Sequence, residues 1–364
     1  MSLFGRFRGI IPLLLALVLT AVGVRTYLQS PPSIVSSPAA TSVNVYIQPK
    51  TGVQDIARTL QDAGVIRSTW AFLAMAYLQG SLKRLQSGEY EFSPGMSLFE
   101  ILQKLESGRV VTHQVTVPEG FTAQDIAKLL ASERLVDPDR FMALAQDPEF
   151  AARLGVEAQG LEGYLFPDTY RLTRGMGEEE IIRVMLNRFN QAIPPDFPEQ
   201  ARLVGMSPHA VVTLASLIEK EARLDSERAV ISAVFHNRLR QRMPLQSDPT
   251  AVYMVPRKEG RITPEDLQRK SPYNTYLIPG LPPGPIANPG LASLEAALHP
   301  SPANFLYFVA KNDGSHFFSR TLEQHQQAVR IYQGGGRSRE SSSASSTALS
   351  ATAVAGRSGR AEGS

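Results

Sequence analysis

Two acidic residues, Glu219 and Glu221, stand on either side of Lys220 directly after an apolar run from Val211 to Ile218. An acid beside apolar side chains suits proton donation, because desolvation favours the neutral form. The run predicts a helix, and on a helical wheel the two acids point about 200° apart. Only one of them can therefore face a given cleft, and the periodicity does not say which. A surface ion pair between Glu219 and Arg223 would explain the first acid without any catalysis.

Other chemistries have weaker support. Ser216 and Lys220 are four residues apart on the same predicted helix, the spacing of a nucleophile and its base. On the wheel they fall with Thr213 opposite the apolar centre, where we expect an ordinary solvent face. The six His residues are scattered without metal-ligand spacing, so we expect no metal. Prolines interrupt the glycines from Gly280 to Gly290 and remove backbone donors, so we expect no nucleotide and no other cofactor.

Loops rich in Pro and Gly supply further polar and aromatic groups. The blocks are LEGYLFPDTYRL from Leu161, LQSDPT from Leu245, SPYNTY from Ser271 and GLPPGPIANPG from Gly280. Aromatic faces with planar amide and carboxylate groups suit a carbohydrate cleft, because sugars present apolar ring faces edged with hydroxyls. The plain alternative is that Tyr164, Phe166 and Tyr170 are core residues and that the Pro-rich loop is a connection.

Helix signals frame these blocks. Ser207 followed by Pro208 predicts a capped helix start, and the helix should run through HAVVTLASLIEKEARL. Asp225-Ser226 predicts the cap of a second helix, ERAVISAVFHNRLRQR, which should end near Met243. A strand, turn and helix pattern occurs three times, beginning at Val43, Gly88 and Val115, and suggests a compact α+β module.

The two ends of the chain differ from its body. The uncharged segment from Gly9 to Val24 predicts a transmembrane helix, and Arg6 and Arg8 before it favour a cytoplasmic N-terminus with the remainder exported. A cleaved signal peptide ending at Ala21-Val22-Gly23 is the alternative. The absence of cysteine excludes a lipoprotein anchor and disulfides. Without the arginines of both ends the body is slightly acidic, so we expect no nucleic-acid partner.

Taken in order, the blocks LASLIEKEA, VFHNRL, LQSDPT, SPYNTY, GLPPGPIANPG and LEAALHP resemble the endolytic murein transglycosylases, the MltG or YceG-like family of bacterial cell-wall enzymes. The resemblance covers Met1 to about Gln333. It implies an α+β fold with an N-terminal transmembrane helix, a small LysM-like module and a mixed α/β catalytic domain. The expected divisions are 1–28 for the cytoplasmic N-terminus and anchor, 29–42 for a linker, 43–114 for the LysM-like module, 115–333 for the catalytic domain and 334–364 for a disordered tail.

The resemblance also implies the activity. It is the non-hydrolytic cleavage of the bond between N-acetylmuramic acid and N-acetylglucosamine inside nascent peptidoglycan strands, which leaves 1,6-anhydro ends and terminates glycan elongation. The expected location is the cytoplasmic membrane, with a single span and the catalytic domain on the periplasmic side. The implied partners are glycan strands and cell-wall synthases. A non-catalytic, glycan-binding scaffold of the same machinery is the alternative.

The family's catalytic acid falls on Glu219, the first acid of IEKE. One acid suffices because the substrate's own 6-hydroxyl attacks the anomeric carbon, whereas hydrolases need a second carboxylate. Desolvation by apolar neighbours, Val212 among them, should favour the neutral acid. The residues expected to hold the sugars and to complete the cleft are Gln246, Asp248, Tyr273, Asn274, Glu162 and Tyr164.

Overall fold

The computed structural model describes Gly23 and residues 42–255 and 262–333. The predicted anchor and tail lie outside these ranges except for Gly23, as does the predicted linker except for Ser42. Within the described ranges, no single helix is both long and apolar enough to cross a membrane. The chain divides into two compact units, and both combine helices with small two-stranded sheets.

The first unit comprises the chain up to Thr116 together with Leu129–Asp137 and Thr169–Ile181. Its strands are β1 (Val43–Ile47), β2 (Gly88–Phe92), β3 (Thr112–Thr116) and β4 (Thr169–Thr173). β1 pairs antiparallel with β2, and β3 pairs antiparallel with β4. Helices α1 (Val53–Asp62) and α2 (Thr69–Leu78) lie between β1 and β2 in sequence, and α3 (Leu98–Ser107) follows β2. Aromatic and aliphatic side chains from these elements form one core around Phe72, Tyr90 and Leu102.

The three predicted strand, turn and helix units are confirmed: β1 precedes α1, β2 precedes α3, and β3 precedes α4 (Ala123–Ser132). β3 starts at Thr112, three residues before the predicted Val115. Local sequence explains both ends of α3. Ser97 forms a capping box with Glu100 at its start, and Gly108 ends the helix in the left-handed region.

The second unit contains Val117–Lys128, Pro138–Asp168 and the chain from Ile182 onward. Its helices after α4 are α5 (Pro138–Ala145), α6 (Pro148–Arg153), α7 (Glu178–Ala192, which begins in the first unit), α8 (Phe197–Leu203), α9 (Pro208–Glu221), α10 (Arg228–Arg240), α11 (Asp248–Val252), α12 (Pro264–Leu267), α13 (Leu291–Leu298) and α14 (Leu322–Tyr332). Strands β5 (Tyr307–Ala310) and β6 (His316–Ser319) form an antiparallel hairpin.

Helix α9 is the central element of this unit. Its predicted start is confirmed, because the Ser207 side chain accepts a hydrogen bond from the Ala210 amide and Pro208 is the first helical residue. The helix ends at Glu221, since Ala222 is extended, so the predicted continuation to Leu224 is wrong. Every residue of the apolar run is buried, because α9 packs against α10 and α13.

The predicted solvent face of α9 is wrong for Thr213 and Ser216, which are buried, whereas Lys220 is exposed. The Ser216 hydroxyl donates to the Thr213 carbonyl at 2.7 Å and accepts from the Ile286 amide at 3.0 Å, whereas Lys220 donates to the Gly120 carbonyl at 3.3 Å. A Ser/Lys catalytic pair is therefore not formed.

The predicted cap of α10 is replaced by a single 3-10 turn over Asp225–Glu227, and the α-helix itself begins at Arg228. The helix ends at Arg240, three residues before the predicted end near Met243. This short turn brings Arg228 back toward the C-terminal end of α9, where it contacts an acid of that helix.

Candidate active site

Glu221, the last residue of α9, lines a polar cavity of about 330 Å³ in the second unit. Its Oε1 accepts a hydrogen bond from the Ser247 hydroxyl at 2.6 Å, and its Oε2 accepts none from the described residues. The other residues around the cavity are Arg238, Leu245, Gln246, Asp248, Tyr276, Phe308, Val309, Ala310, His316, His325, Val329 and Gln333. The Ser247 hydroxyl thus holds one carboxylate oxygen of Glu221 in place at the cavity.

The LQSDPT and SPYNTY blocks build this cavity by pairing with each other. The Gln246 amide donates to the Thr275 carbonyl at 3.1 Å, and the Ser247 amide donates to the Thr275 hydroxyl at 3.0 Å. The hydroxyls of Thr250 and Thr275 are 2.8 Å apart, and both residues are fully buried. Since buried hydrogen bonds fix their partners in one arrangement, the two loops hold Ser247 against Glu221.

Side chains on both loops face the same space. The Tyr276 hydroxyl donates to Asp248 at 2.5 Å. Arg238 is 7% exposed, donates to the carbonyls of Leu245 and Leu306 and also donates to the Gln246 side chain at 3.2 Å. These contacts lock an aromatic hydroxyl, a carboxylate and an amide around the cavity, which is the set of groups that recognises sugar hydroxyls.

The electrostatics of the cavity favour a neutral Glu221. The pKa of Glu221 is raised from 4.5 to about 7, chiefly by burial and also by the negative charge of Asp248, while the Ser247 hydrogen bond and the positive charge of Arg238 oppose the shift. A carboxyl with a pKa near 7 is partly protonated at neutral pH and can both donate a proton and take one back. Glu221 therefore has the protonation behaviour of a general acid.

Glu219 has different surroundings. Its side chain is 7% exposed, and its Oε2 accepts from the Gly290 amide at 3.1 Å, from the Ser293 hydroxyl at 2.8 Å and from the guanidinium of Arg228 at 3.3 Å. Arg228 also donates to the Ser293 hydroxyl at 2.8 Å. These bonds join α9, α10 and the start of α13.

Glu119 belongs to the same group. Its carboxylate lies 3.8 Å from the Arg228 guanidinium and directly against the α-carbon of Gly290. Burial raises the pKa of Glu119, and the nearby charge of Glu219 raises it further. Arg228 therefore balances several acids on this side of α9, while the cavity of Glu221 is on the other side.

Two of the predicted sugar-binding residues line a second, smaller cavity of about 140 Å³. Glu162 lies there, where its carboxylate accepts from the Tyr253 hydroxyl at 3.0 Å, the Asn288 amide group at 2.9 Å and the Ala123 backbone. Burial raises the pKa of Glu162 to about 7. Tyr273 lies in the same cavity with its ring 4.7 Å from that of Tyr253.

The remaining predicted residues have roles within their loops. Tyr164 is 8% exposed and hydrogen-bonds His209 at 2.8 Å. Asn274 is fully buried, and its amide donates to the carbonyls of Leu267 and Arg269 at 3.0 and 2.8 Å. The structure thus groups Gln246 and Asp248 with Glu221, groups Glu162 with Tyr273, and leaves Glu219 outside both cavities.

Comparison with known proteins identifies the family of the chain. A family model described as the YceG-like family matches residues 45–331. The chain belongs to the YceG-like family. It is 37% identical over 314 residues to the endolytic murein transglycosylase of Bacillus subtilis (strain 168), a match that covers 82% of this chain and 87% of the relative. It is 30% identical over 319 residues to a protein of the same name from Streptococcus pneumoniae (serotype 2, strain D39), covering 79% of this chain and 58% of that longer protein.

A solved structure from the same family extends the comparison. The crystal structure of a yceG-like protein from Listeria monocytogenes superposes with a TM-score of 0.55 at 34% sequence identity. The match covers 79% of this chain and 98% of the Listeria chain. Membership of the YceG-like family therefore rests on sequence and fold together.

Several residues at the cavity of this YceG-like chain are not among the predicted site residues. Ser247 and Tyr276 lie inside the LQSDPT and SPYNTY blocks, and those blocks are the signal in the sequence that points to them. Arg238 lies in VFHNRL, where helical periodicity gives no reason to single it out. In the part of the chain that the structure describes, no three His, Asp or Glu side chains group as metal ligands.

Proposed function

We propose that this chain is an endolytic lytic transglycosylase of peptidoglycan and that Glu221 is its acid and base. The observation that carries the proposal is the Glu221 carboxyl, held by Ser247 in the polar cavity that the LQSDPT and SPYNTY blocks build, and its pKa of about 7 supports the assignment. The relatives named endolytic murein transglycosylases supply the substrate class.

The reaction needs only one acid. The Glu221 carboxyl donates its proton to the glycosidic oxygen as the bond from that oxygen to the muramic acid C1 breaks. The muramic acid 6-hydroxyl then bonds to C1, and its proton passes to the Glu221 carboxylate, which restores the starting acid. No water is consumed, so the product ends in a 1,6-anhydro ring. Arg238, Gln246, Asp248 and Tyr276 hold the sugar hydroxyls around the reacting bond.

The choice between the two acids follows from their partners. The motif match assigns proton transfer to Glu219, and that assignment remains a prediction. Glu219 Oε2 accepts three hydrogen bonds, one of them from the Arg228 guanidinium at 3.3 Å, whereas the Glu221 carboxyl accepts one, from the Ser247 hydroxyl. We therefore assign proton transfer to Glu221 and an organising role to Glu219.

We also propose that the chain has a LysM-like first module and a membrane anchor. The sequence of strand, two helices and strand in β1, α1, α2 and β2 supports the LysM-like assignment of the first module. The apolar segment from Gly9 to Val24 supports a single-span anchor in the cytoplasmic membrane, with the catalytic domain on its outer side, where glycan strands emerge from their synthases.

Product chemistry tests the proposed reaction. The full chain in mild detergent is incubated with purified glycan strands in ¹⁸O-labelled water, and the new ends are identified by mass spectrometry. Lytic cleavage yields anhydromuramic ends without ¹⁸O, whereas hydrolysis yields reducing ends that carry the label. Labelled reducing ends alone, or strand binding without any cleavage, would refute the proposed reaction, and the second result would favour the glycan-binding scaffold.

A further inference from the structure

Helix α2 exposes an unusual apolar face in the first unit. Trp70, Tyr77 and Leu78 are 76%, 72% and 77% exposed. Helix α2 is apolar and has no charged residue among its ten, so we would expect a helix of this composition to be buried. Trp70 and Tyr77 are seven residues apart and lie within about 20° of each other around the helix, while Phe72 and Ala76 on the opposite side are buried in the core. Large aromatic side chains grouped in this way on a surface indicate a binding face.

The charged residues beside this helix in sequence are cations. From Val65 to Gly88 the sequence holds Arg67, Lys83 and Arg84 and no acidic residue, and in space Arg84 contacts Glu106 at 3.2 Å. All three cations are exposed, and they flank α2 at its two ends. An apolar helix bordered by cations complements a bilayer surface, because the apolar side chains enter the headgroup boundary and the cations meet anionic lipid phosphates.

The residue types also favour a bilayer over a protein partner. Tryptophan and tyrosine concentrate at membrane interfaces, where the ring is apolar and its NH or OH group reaches water. The apolar segment that ends at Val24 is separated from β1 by only 18 residues, Arg25 to Ser42. Even fully extended, 18 residues reach only about 60 Å, so an anchored chain keeps the first unit near the lipid surface.

We propose that the α2 face, made of Trp70, Tyr77 and Leu78, rests on the outer surface of the lipid bilayer that the chain is anchored to. This inference rests on the proposed anchor and is independent of the proposed reaction. The contact gives the first unit a fixed side toward the membrane.

Trp70 is the single tryptophan of the chain, so its fluorescence reports on this face alone. The full chain is reconstituted in vesicles of phosphatidylcholine and phosphatidylglycerol, with and without brominated acyl chains, and flotation measures anchoring separately. The expected result is a blue-shifted Trp70 emission that brominated lipid quenches strongly. Vesicles without phosphatidylglycerol should give weaker quenching, because the flanking cations lose their partners.

Variants that keep the reporter sharpen the test. Tyr77→Ser with Leu78→Ser should lose most of the quenching while the chain still floats, whereas Leu203→Ser, at an 87% exposed leucine of the second unit, should leave quenching unchanged. A floating chain whose Trp70 emission stays red-shifted and unquenched would overturn the proposal. A blue shift that depends on protein density and resists bromine quenching would also overturn it, because a second copy would then cover the face. A chain that does not float at all would refute the anchor and the bilayer contact together.

Discussion

Replacing Ser247 by alanine tests the role of Glu221 through its pKa. The Ser247 hydroxyl donates to Glu221 Oε1 at 2.6 Å and lowers the pKa of the buried carboxyl, because it stabilises the ionised form. A hydrogen bond to a charged group contributes about 1.5–3 kcal/mol. One pKa unit corresponds to about 1.4 kcal/mol, so the substitution should raise the pKa of Glu221 by roughly 1–2 units, from about 7 toward 8 or 9.

The assay is the pH dependence of kcat/KM for release of anhydromuramic ends. Glu221 must be protonated to act, so activity falls as pH rises through its pKa, and this alkaline limb should lie near pH 7 in the wild type. In Ser247→Ala the limb should move upward by about 1–2 units. The backbone amide of Ser247 keeps its bond to Thr275, so the loop should stay in place.

A matched hydroxyl serves as the control. Ser293 donates to Glu219 Oε2 at 2.8 Å, as Ser247 does to Glu221. Ser293→Ala should therefore leave the alkaline limb unmoved. If Ser293→Ala shifts the limb and Ser247→Ala does not, the reasoning that assigns the proton to Glu221 is refuted.

Three further predictions concern stability. The folded-state pKa of Glu221 is raised from 4.5 to about 7, so the contribution of this carboxyl to folding stability is lost as pH rises through that window. In urea unfolding, the stability of Glu221→Gln relative to the wild type should therefore increase by up to about 3 kcal/mol between pH 4 and pH 8. The same difference at both pH values would contradict the raised pKa. Arg228→Met leaves a buried acid without its cation and should lose about 3 kcal/mol in the same assay at pH 7, while an unchanged midpoint would show the pair to be weak. Gly163 has φ +90°, and a Cβ there would lie 2.5 Å from Pro285, so Gly163→Ala should lower the free energy of unfolding by at least about 2 kcal/mol. Gly155 has φ +83° with open space around it, so Gly155→Ala should lower it by only about 1 kcal/mol. Equal losses in the two variants would exclude the steric cause.

Local sequence predicts the framework around the site. Ser207 and Pro208 mark the start of α9 because the cap and the first helical position are set by adjacent residues. The helical wheel separates Glu219 from Glu221 correctly, since their environments lie on different sides of α9. It fails for Ser216, because α9 is surrounded by other helices and has no solvent face along its apolar run.

The contacts that distinguish the surroundings of Glu221 from those of Glu219 are not local in sequence. The Thr250 and Thr275 hydroxyls pair across 25 residues, and the Ser247 hydroxyl reaches back 26 residues to Glu221. Asn288 shows the same limit, because its side chain accepts from the Gly163 and Leu165 amides at 2.9 Å and thereby fixes a loop more than 120 residues away. Such pairings depend on the whole fold, so periodicity and capping signals do not contain them.

The central claim is that Glu221 transfers the proton in a reaction that consumes no water. Its most direct test is mass spectrometry of glycan strands after incubation with the wild type, Glu221→Gln and Glu219→Gln, with folding checked by circular dichroism. We predict anhydromuramic ends from the wild type, a loss of about 10²- to 10⁴-fold in their rate of formation for Glu221→Gln, and substantial activity for folded Glu219→Gln. Normal cleavage by Glu221→Gln together with an inactive, folded Glu219→Gln would contradict the account and return the catalytic role to Glu219.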